Sequence, residues 1–522
     1  MHTMKHHRSL FFAAISLFCT FFAHAGDVTF DPNTRYSRLV IDSCLYHFKA
    51  NTKAAGFAKY DSEGNQVKAS ESERGFDYVP GLVAKAVIEA VDYYQTQDFA
   101  KPWFYSIAAY ANEYYSNTHT SGSLDDLNAC KMYFGISDLT KEGAAFANAT
   151  TYNNCQTAKT NTLAGLKDYN TNYVITTTTI TNADQLPLPG GGTYDVTGGW
   201  WHKKEYPNQM WCDGQYMGPA LLAQLVAEGK NITGSTDGDW TLIAKQFDIT
   251  WTYLWDGRED KQLLYHAFCA DGGTNTTSRS CDWAGLSTTT GSECYHSAEY
   301  WGRAEGWYVL ALVDVLEQMN KTGLSKSDER YTRLLGYLQK AAAGLKNKRD
   351  STNSGCWYQL LAHDGSYSVT NYEPSMDSPY VSGTKTNYLE ASASAIFTAF
   401  FLKSIRLGYL DKATYESVAK AAYKGLITTF LKTNVGDGNG YALIQSCKSA
   451  GLGGSSNTGS KTRTGSAAYY LLGSDVGVTT NYTEGKILGA FILAAVEYER
   501  AYLPVVAGDD PSGCKCLKVS LQ

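Results

Sequence analysis

The chain has 522 residues, of which 43% are hydrophobic and 18% are charged, so it is long and apolar enough to bury a large globular core. Its net charge of -6 comes without a basic patch, which excludes nucleic acid as a partner. Tyrosine (38) and tryptophan (11) are abundant, and their amphipathic rings suit sugar faces as well as protein cores.

The N-terminus has the pattern of a secretory signal peptide. Lys5 and Arg8 precede an apolar run at 10–23, and residues 23–25 form a small-x-small cleavage site. We therefore expect a signal peptide at 1–25 and a secreted, extracellular protein. The apolar run is short for a membrane span, and no later stretch reaches about 18 uninterrupted apolar residues, so no membrane partner is expected.

Twelve stretches show the three- to four-residue spacing of apolar side chains that is typical of helices. They lie at about 36–48, 82–94, 101–115, 124–135, 155–168, 215–228, 241–255, 298–318, 328–347, 387–408, 412–431 and 485–502. Few strands are predicted, although Thr-rich pieces such as 173–181 suit small hairpins. The predicted fold class is all-α.

Helices in hairpin succession have one common closed arrangement, an inner ring of six inside an outer ring of six, with a cleft lined by loops at one end. An irregular helical solenoid gives a similar periodicity and stays open as an alternative. No Pro-rich or charged linker separates the helices, so we expect one catalytic domain at 26–505 and a tail at 506–522 that contains Cys514 and Cys516.

Cysteines and sequons bear on the compartment. Loss of Cys19 with the signal peptide leaves eleven cysteines, which in an oxidising compartment favours disulfides and one odd thiol. Cys269, Cys281 and Cys294 lie near two histidines, but their wide spacing favours disulfides over a zinc site. No cofactor motif is present, so no metal and no cofactor are expected. N-x-Ser/Thr sequons compatible with a glycoprotein begin at Asn148, Asn231, Asn275, Asn320 and Asn481.

The stretch 200–225, WWHKKEYPNQMWCDGQYMGPALLAQL, places Asp213 just before an apolar helix. Helix capping is the commonest reason for an aspartate at such a position. The neighbouring tryptophans would desolvate the carboxyl group and raise its pKa, as a general acid requires, whereas a helix N-terminus would lower it. The sequence alone leaves the direction of the shift open.

Asp125 opens another helix, in SLDDLNACKMYFG, and is either a cap or the partner carboxylate of Asp213. His266 lies beside aromatic residues, an environment that by itself is more typical of a core histidine.

Arg303 lies between Trp301 and Trp307 and requires an anionic partner. A protein acid such as Glu305 or Glu299, or the carboxylate of a bound uronate, would meet that requirement.

Several blocks, in chain order, resemble the unsaturated rhamnogalacturonyl hydrolases of glycoside hydrolase family 105, which are related to the unsaturated glucuronyl hydrolases. The blocks are WWHKKEYPNQMWCDGQYMG, LYHAF, EYWGRAEGWYVLALVDVLE, WYQL, NYLEASASAIFTAF and GAFILAAVEYE, and the resemblance covers residues 36–502. It implies an (α/α)6 barrel. It also implies removal of the unsaturated uronic residue that lyases leave at the non-reducing end of pectin and rhamnogalacturonan fragments. In that reaction an acid protonates C4 of the C4=C5 enol ether, water adds at C5, and the hemiketal opens to expel the remaining sugar.

The resemblance also implies roles for individual residues. Asp213 matches the principal general acid/base, and Asp125 matches the second active-site aspartate. The residues implied in substrate binding are Tyr78, His202, Trp211, His266, Arg303 and Trp307. The expected partner is an unsaturated uronyl oligosaccharide, and the expected state is a monomer.

This chain departs from the family pattern at Pro80, in a longer segment between Asp125 and Trp200, and in the C-terminal block NYTEGKILGAF. Such differences in loops affect substrate choice before they affect the chemistry. Two alternatives stay open, an inverting glycosidase that acts on saturated polysaccharide with Asp125 and Asp213 as its pair, and a non-catalytic carbohydrate-binding protein.

Overall fold

The structure is a computed structural model, and part of the chain is described. The described residues are 26–71, 73, 75–119, 122–176, 179–181, 193–271, 281–285, 295–370, 383–433, 435, 440–453, 463–473 and 475–505. The predicted signal peptide at 1–25, the tail at 506–522, the sequon at Asn275 and Cys294 lie outside these residues.

Fifteen α-helices occur in the described part of the chain. They are α1 (Tyr36–Cys44), α2 (Tyr78–Tyr93), α3 (Ala100–Tyr114), α4 (Leu124–Asn128), α5 (Met132–Thr140), α6 (Ala149–Asn172), α7 (Cys212–Met217), α8 (Pro219–Ala227), α9 (Thr236–Leu254), α10 (Gly302–Lys321), α11 (Glu329–Lys348), α12 (Ala391–Arg406), α13 (Lys412–Gly425), α14 (Ala467–Leu472) and α15 (Gly485–Tyr502). All twelve predicted helices are confirmed, with shifted ends.

The helices form two concentric rings. The inner ring consists of α2, α4 with α5, α7 with α8, α10, α12 and α15, and it closes because α15 packs against both α12 and α2. The outer ring consists of α1, α3, α6, α9, α11 and α13, each packed against the inner ring. The chain therefore forms an (α/α)6 barrel, and the closure between α15 and α2 rules out the open solenoid.

Burial follows ring position. In the inner helix α12 nearly every residue is buried, because its neighbours in the ring, the barrel interior and the outer ring cover all of its sides. The outer helix α11 buries one stripe, which includes Leu334, Leu338 and Leu345, and exposes its charged face.

Two predicted helices are interrupted, each for a local reason. The helix expected at 124–135 consists of α4, a 3-10 turn at Ala129–Lys131, and α5. The helix expected at 215–228 breaks between α7 and α8 at Pro219, whose nitrogen carries no hydrogen for the helical ladder. A Cβ on the preceding Gly218 would lie 3.0 Å from Leu124 and Trp200, so this close junction favours glycine.

The strands are short. They are β1 (Gly26–Asp27), β2 (Lys49–Ala50), β3 (Lys53–Ala54), β4 (Lys59–Tyr60), β5 (Gln66–Lys68), β6 (Thr179–Thr181), β7 (Thr193–Asp195), β8 (Gln209–Trp211), β9 (Trp255–Asp256), β10 (Leu263–Leu264), β11 (Ala267–Cys269), β12 (Ser368–Thr370), β13 (Thr384–Thr386), β14 (Leu431–Thr433) and β15 (Tyr441–Leu443). The predicted Thr-rich hairpin is present in part as the antiparallel pair of β6 and β7. The pair that concerns the site is β8 with β11, in which Trp211 lies opposite Ala267.

The two ends of the barrel differ in chemistry. The N-terminal ends of the inner helices meet at one mouth, which carries the predicted site. The opposite end holds a cavity of about 400 Å³ lined largely by charged side chains, among them Lys85, Lys131, Asp314 and Lys403. In the part of the chain that the structure describes, no helix is both long and apolar enough to cross a bilayer.

Candidate active site

Every inner-ring segment contributes a polar or aromatic side chain from its first turn or first residues. The contributors are Tyr78 on α2, Asp125 on α4, Asp213 on α7, Arg303 on α10, Ser392 on α12 and Lys486 on α15. The first turn of a helix is its positive end, so this mouth favours an anionic ligand.

Asp213 lies in the first turn of α7, whose N-cap is Trp211, and no side chain caps this helix. The capping interpretation of Asp213 is therefore wrong. The carboxylate instead faces His266, with 3.3 Å between Asp213 Oδ2 and His266 Nε2. Neither of these two buried atoms makes an aligned hydrogen bond in the described structure, and the contact is an ion pair when the imidazole is protonated.

His266 is wholly buried between β10 and β11, and local backbone bonds fix its position. Its backbone nitrogen donates to Ser297 Oγ at 3.0 Å, and its carbonyl accepts from Cys212 N, the residue before Asp213, at 3.0 Å. Its Nδ1 lies 2.7 Å from Tyr470 Oη. The contact with Asp213 shows that this histidine belongs to the site rather than to the core alone.

The pKa of Asp213 reflects two opposed effects. Burial by itself would raise it, but the adjacent His266, followed by His202 and Arg303, outweighs burial and holds the pKa below its usual range. The structure thus resolves the direction that the sequence left open, and Asp213 is a carboxylate in the free protein.

Asp125 lies in the first turn of α4, after the N-cap Ser123, and its side chain does not cap the helix. Its Oδ2 pairs with Lys203 Nζ at 2.6 Å, and its Oδ1 lies 3.6 Å from His202 Nε2. A bridge between Ser123 and Lys203 holds the two segments side by side. The capping interpretation of Asp125 is also wrong.

His202 connects the two aspartates electrostatically, because the charges of both Asp125 and Asp213 act on it. Burial lowers the pKa of His202 to about 4 against these charges, so the ring is neutral near pH 7. Trp211 stacks on His202 with ring centres 4.6 Å apart and meets His266 edge-on at 5.1 Å. The tryptophan therefore holds both imidazoles in place.

Arg303 is 2% exposed, and its guanidinium lies 4.6 Å from the centre of the Trp301 ring. Its Nη1 donates to Ser392 Oγ at 3.2 Å and to Cys447 O at 2.6 Å. Among the described residues, Nε and Nη2 make no hydrogen bond, and no carboxylate forms an ion pair with this guanidinium within 4.0 Å.

The two protein acids expected as partners of Arg303 are engaged elsewhere, which corrects that prediction. Glu299 lies 3.3 Å from His363 Nε2. Glu305 accepts a hydrogen bond from Leu264 N at 3.1 Å, and burial raises its pKa to about 8. Among the expected partners, the carboxylate of a bound ligand is the one that stays open.

Trp307 lies one helical turn after Arg303 and therefore on the same face of α10. It stacks on Tyr216 with ring centres 5.0 Å apart, and Tyr78 meets it edge-on at 6.5 Å. These three rings form an aromatic cluster in which Tyr216 and Trp307 are almost wholly buried, and Lys486 Nζ of α15 lies 5.7 Å from the centre of the Tyr78 ring.

A metal does not fit the cysteine group predicted to form disulfides. Ligand atoms of Cys269, Asp271 and Cys281 lie within 4.8 Å of one another, but the two sulfurs are joined in a disulfide and offer no thiolate. The preference for a disulfide over zinc is confirmed at this pair.

The prediction of one odd thiol is wrong. Six buried free cysteines occur in the described part of the chain, and they are Cys44, Cys130, Cys155, Cys212, Cys356 and Cys447. Buried cysteines of this kind pack as small apolar side chains, a property that a count of cysteines does not reveal.

The structure adds site residues that the sequence did not single out. Lys203 lies inside the recognised WWHKK block and could have been found there, because it follows His202 directly. Tyr470, on the unpredicted helix α14, carried no such signal. Lys486 pairs with Glu484 at 2.6 Å, and both are fully buried at the start of α15.

Comparisons with known proteins agree with this geometry. The family model of Glycosyl Hydrolase Family 88 matches residues 193–502, which include Asp213, His266 and Arg303. A solved glycoside hydrolase from family 105 of C. acetobutylicum ATCC 824 is 26% identical, with 90% of this chain and 100% of that chain covered and a TM-score of 0.60.

A possible member of glycoside hydrolase family 105 from Salmonella enterica serovar Paratyphi A shares the fold, at 17% identity, 91% and 95% coverage and a TM-score of 0.52. A 24.9 kDa protein in the picA locus of Rhizobium radiobacter is 31% identical over 178 residues, which are 34% of this chain and 63% of that protein. A protein from Agrobacterium fabrum matches with the same identity and coverage, so the chain spans 63% of the length of these curated relatives.

Proposed function

This chain belongs to Glycosyl Hydrolase Family 88, and from that premise we propose that it removes an unsaturated 4-deoxy-4,5-ene uronic acid from the non-reducing end of an oligosaccharide. We further propose that the substrates are lyase-generated pectin and rhamnogalacturonan fragments and that the protein acts outside the cell as a monomer. The Cys269–Cys281 disulfide supports an oxidising compartment.

The observation that carries the proposal is Arg303. Arg303 is buried and has no carboxylate within ion-pair distance among the described residues. Glu390 and Glu484 balance its charge from farther away, and a ligand carboxylate would supply the direct partner that its guanidinium lacks. Arg303 lies close enough to Asp213 to lower the pKa of that carboxyl group. A uronate carboxylate on Arg303 would therefore place the sugar ring next to the acid.

The mechanism uses Asp213 twice. Its carboxyl proton goes to C4 of the enol ether, and the cation that develops at C5 and the ring oxygen is stabilised by the resulting carboxylate. Water then forms a bond to C5 and gives a proton back to Asp213. The product is a hemiketal at C5, whose opening breaks the bond from C5 to the ring oxygen and leaves a ketone at C5 and a hemiacetal at C1. Collapse of that hemiacetal to an aldehyde breaks the bond to the remaining sugar, whose oxygen takes the hydroxyl proton, so that one water is consumed in each turnover.

Asp213 must acquire its proton, because its pKa is low in the free protein. An arriving uronate adds a second negative charge and excludes water, and both effects raise the pKa of the carboxyl group. Binding is therefore coupled to proton uptake. We expect kcat/KM to fall as the pH rises, because fewer molecules then hold the proton.

The remaining residues have supporting roles. Asp125 is held by Lys203 at 2.6 Å and adds negative charge near the developing cation. In the aromatic cluster of Tyr78, Tyr216 and Trp307, the partly exposed ring is Tyr78, and it supplies the apolar face for a sugar ring, with Trp307 packed edge-on against it.

The test uses the purified chain and a panel of unsaturated disaccharides that differ in the uronic acid and in the aglycone. Loss of ultraviolet absorbance with release of the second sugar is expected, and the fastest substrate defines the preference. Activity on saturated oligosaccharides alone would select the inverting glycosidase. Calorimetric binding without turnover of any substrate would select the non-catalytic protein. The cleavage site and location are tested by N-terminal sequencing of the secreted protein, and the monomer by its mass in solution.

A further inference from the structure

The hydrogen bond between Tyr470 Oη and His266 Nδ1, at 2.7 Å, joins two fully buried side chains that are 204 residues apart in the chain. It lies on the far side of the imidazole from Asp213, whose Oδ2 is 3.3 Å from Nε2. The three groups therefore form a line that runs from α14 through His266 to the carboxylate.

We propose that Tyr470 is a positioning residue that keeps a proton on His266 Nε2, where it faces Asp213. The inference deepens the proposed function and rests on it for its kinetic consequences. Tyr470 itself does not reach the substrate through this contact, because the imidazole lies between it and Asp213.

The chemistry of the two ring nitrogens carries the argument. Burial raises the pKa of Tyr470 well above its ordinary value, so the phenol keeps its proton and donates it in a hydrogen bond. When Nδ1 of a neutral imidazole accepts that bond, the single ring proton must be on Nε2. In the doubly protonated ring Nδ1 donates to the phenol oxygen, and Nε2 again carries a proton. Both states therefore present a donor to Asp213.

The other neutral tautomer would place a lone pair of Nε2 opposite a lone pair of the carboxylate. In that arrangement Nδ1 would donate to the phenol oxygen, and the phenol proton would be left without an acceptor among the described residues. The hydroxyl of Tyr470 therefore disfavours this tautomer, which would also repel Asp213 and raise its pKa. The other groups that act on Asp213 are His202, which is neutral near pH 7, and the Arg303 guanidinium, and neither of them contacts Nδ1 of His266 in the described structure.

The phenol is itself held in place. The Tyr470 ring stacks on Trp301 with ring centres 5.9 Å apart. Its carbonyl accepts a hydrogen bond from Gln359 Nε2 at 3.4 Å, and Gln359 Oε1 accepts from Trp301 Nε1 at 3.2 Å. This packing fixes the hydroxyl on the ring nitrogen without using any group that faces the mouth.

The test compares Tyr470→Phe with the matched control Tyr469→Phe. Tyr469 lies on the same helix and is also buried, and its hydroxyl donates to Asp475 and accepts from Gly451 N rather than contacting His266. Tyr470→Phe is expected to lower kcat by up to about a hundredfold, with little change in KM, because an imidazole that is free to turn no longer holds the carboxyl group of Asp213 in its reacting position. The descending limb of its pH profile should move to higher pH, because Asp213 loses its donor. Tyr469→Phe should show neither effect.

A second measurement does not depend on turnover. Nitrogen-15 NMR of the imidazoles, with His266 assigned by the signal lost in His266→Gln, should show a proton on Nε2 in the wild type and a mixture of tautomers in Tyr470→Phe. An unchanged tautomer together with an unchanged kcat and pH profile would overturn the inference, and equal losses in both tyrosine variants would reduce it to a packing effect. A different result would refute the proposed function instead. In that case the tautomer of His266 changes in Tyr470→Phe, but the wild type turns over no unsaturated uronide.

Discussion

At the scale of single residues, the surroundings of a side chain decide its role more than its place in a helix does. Asp125 and Asp213 both occupy the first turn of a helix, where a capping role was expected, and neither caps. Asp213 faces a buried imidazole, and Asp125 pairs with a lysine. Neither carboxylate is therefore used as a helix cap, and both are available for the proposed chemistry.

The first residue-scale prediction concerns Asp213→Asn, which keeps the shape of the side chain and removes the proton. We expect turnover of the unsaturated uronide to fall by about 10³-fold or more, because proton transfer to C4 is lost. Steady-state kinetics measures the loss, and circular dichroism checks that the helices persist. The control is Asp237→Asn, the same change in the first turn of the outer helix α9. Full activity in Asp213→Asn would reassign the acid.

The second residue-scale prediction concerns Arg303→Lys. This change keeps the charge but removes the planar guanidinium, which can bind a carboxylate through two hydrogen bonds. We expect KM to rise about tenfold to a hundredfold, because a charge-assisted hydrogen bond contributes about 1.5 to 3 kcal/mol. The preference for a free uronate over its methyl ester should shrink in the same variant. Arg330→Lys, at a partly buried pair with Asp328 and Asp237 on the outer ring, is the control. An unaltered KM and ester preference would remove Arg303 from substrate recognition.

At the scale of elements, the short strand pair β8 and β11 connects two parts of the site. It places Trp211 opposite Ala267, and each of these lies next to a segment of the candidate site, Trp211 near Asp213 and Ala267 beside His266. The disulfide from Cys269 on β11 to Cys281 joins this pair to a turn that holds Trp283, and the group packs as a small apolar cluster with Trp211. The cluster supports the wall of the mouth from behind.

We expect the disulfide between Cys269 and Cys281 to make a measurable contribution to stability. The disulfide closes a loop with a sequence separation of 12 residues, for which chain entropy predicts about 3 kcal/mol. We expect Cys269→Ala with Cys281→Ala to lower the free energy of unfolding by about that amount in denaturant titrations. A reductant should destabilise the wild type to a similar extent and leave the double variant unaffected. If the reductant destabilised both proteins equally, the disulfide would not be the source of the stability that the reductant removes.

At the scale of the whole molecule, the two ends of the barrel differ in role. One end carries the candidate site, and the other carries buried ion pairs that stabilise the fold. The mouth contains helix N-termini and the polar groups that we propose bind the ligand, whereas charged side chains at the opposite end form ion pairs with one another. There Lys403 Nζ pairs with Asp314 at 2.6 Å and with Glu317 at 2.8 Å, and it joins α12 to α10. Burial would raise the pKa of Asp314, but Lys403 and Lys85 lower it below its usual range.

Lys403→Met should therefore destabilise the barrel without changing the active site. Removing one partner leaves buried carboxylates uncompensated, which costs about 3 to 5 kcal/mol at neutral pH. We expect thermal unfolding to show this loss, while kcat of the folded protein stays near that of the wild type. Lys412→Met, which breaks an exposed pair with Glu416, should cost less than about 1 kcal/mol.

The pH dependence of this pair has a definite sign. Because Lys403 holds the pKa of Asp314 and Glu317 low in the folded state, their stabilisation is present above the unfolded pKa of about 4 and is lost as the pH falls below it. Acid should therefore destabilise the wild type more steeply than Lys403→Met. Parallel acid-unfolding curves for the two proteins would contradict this account.

The sequence by itself determined the positions of twelve helical stretches and the residue blocks of the candidate site, because apolar spacing along a helix and short motifs are local properties. The twelve amphipathic stretches, Asp213, and the group of His202, His266 and Arg303 were all identified in this way. Local patterns carry no information on which distant side chains meet, so the closure of α15 on α2, the pairing of Lys203 with Asp125 and the contact of Tyr470 with His266 were decided by the tertiary structure. The same holds for the pKa of Asp213, whose direction depends on charges brought from three separate segments.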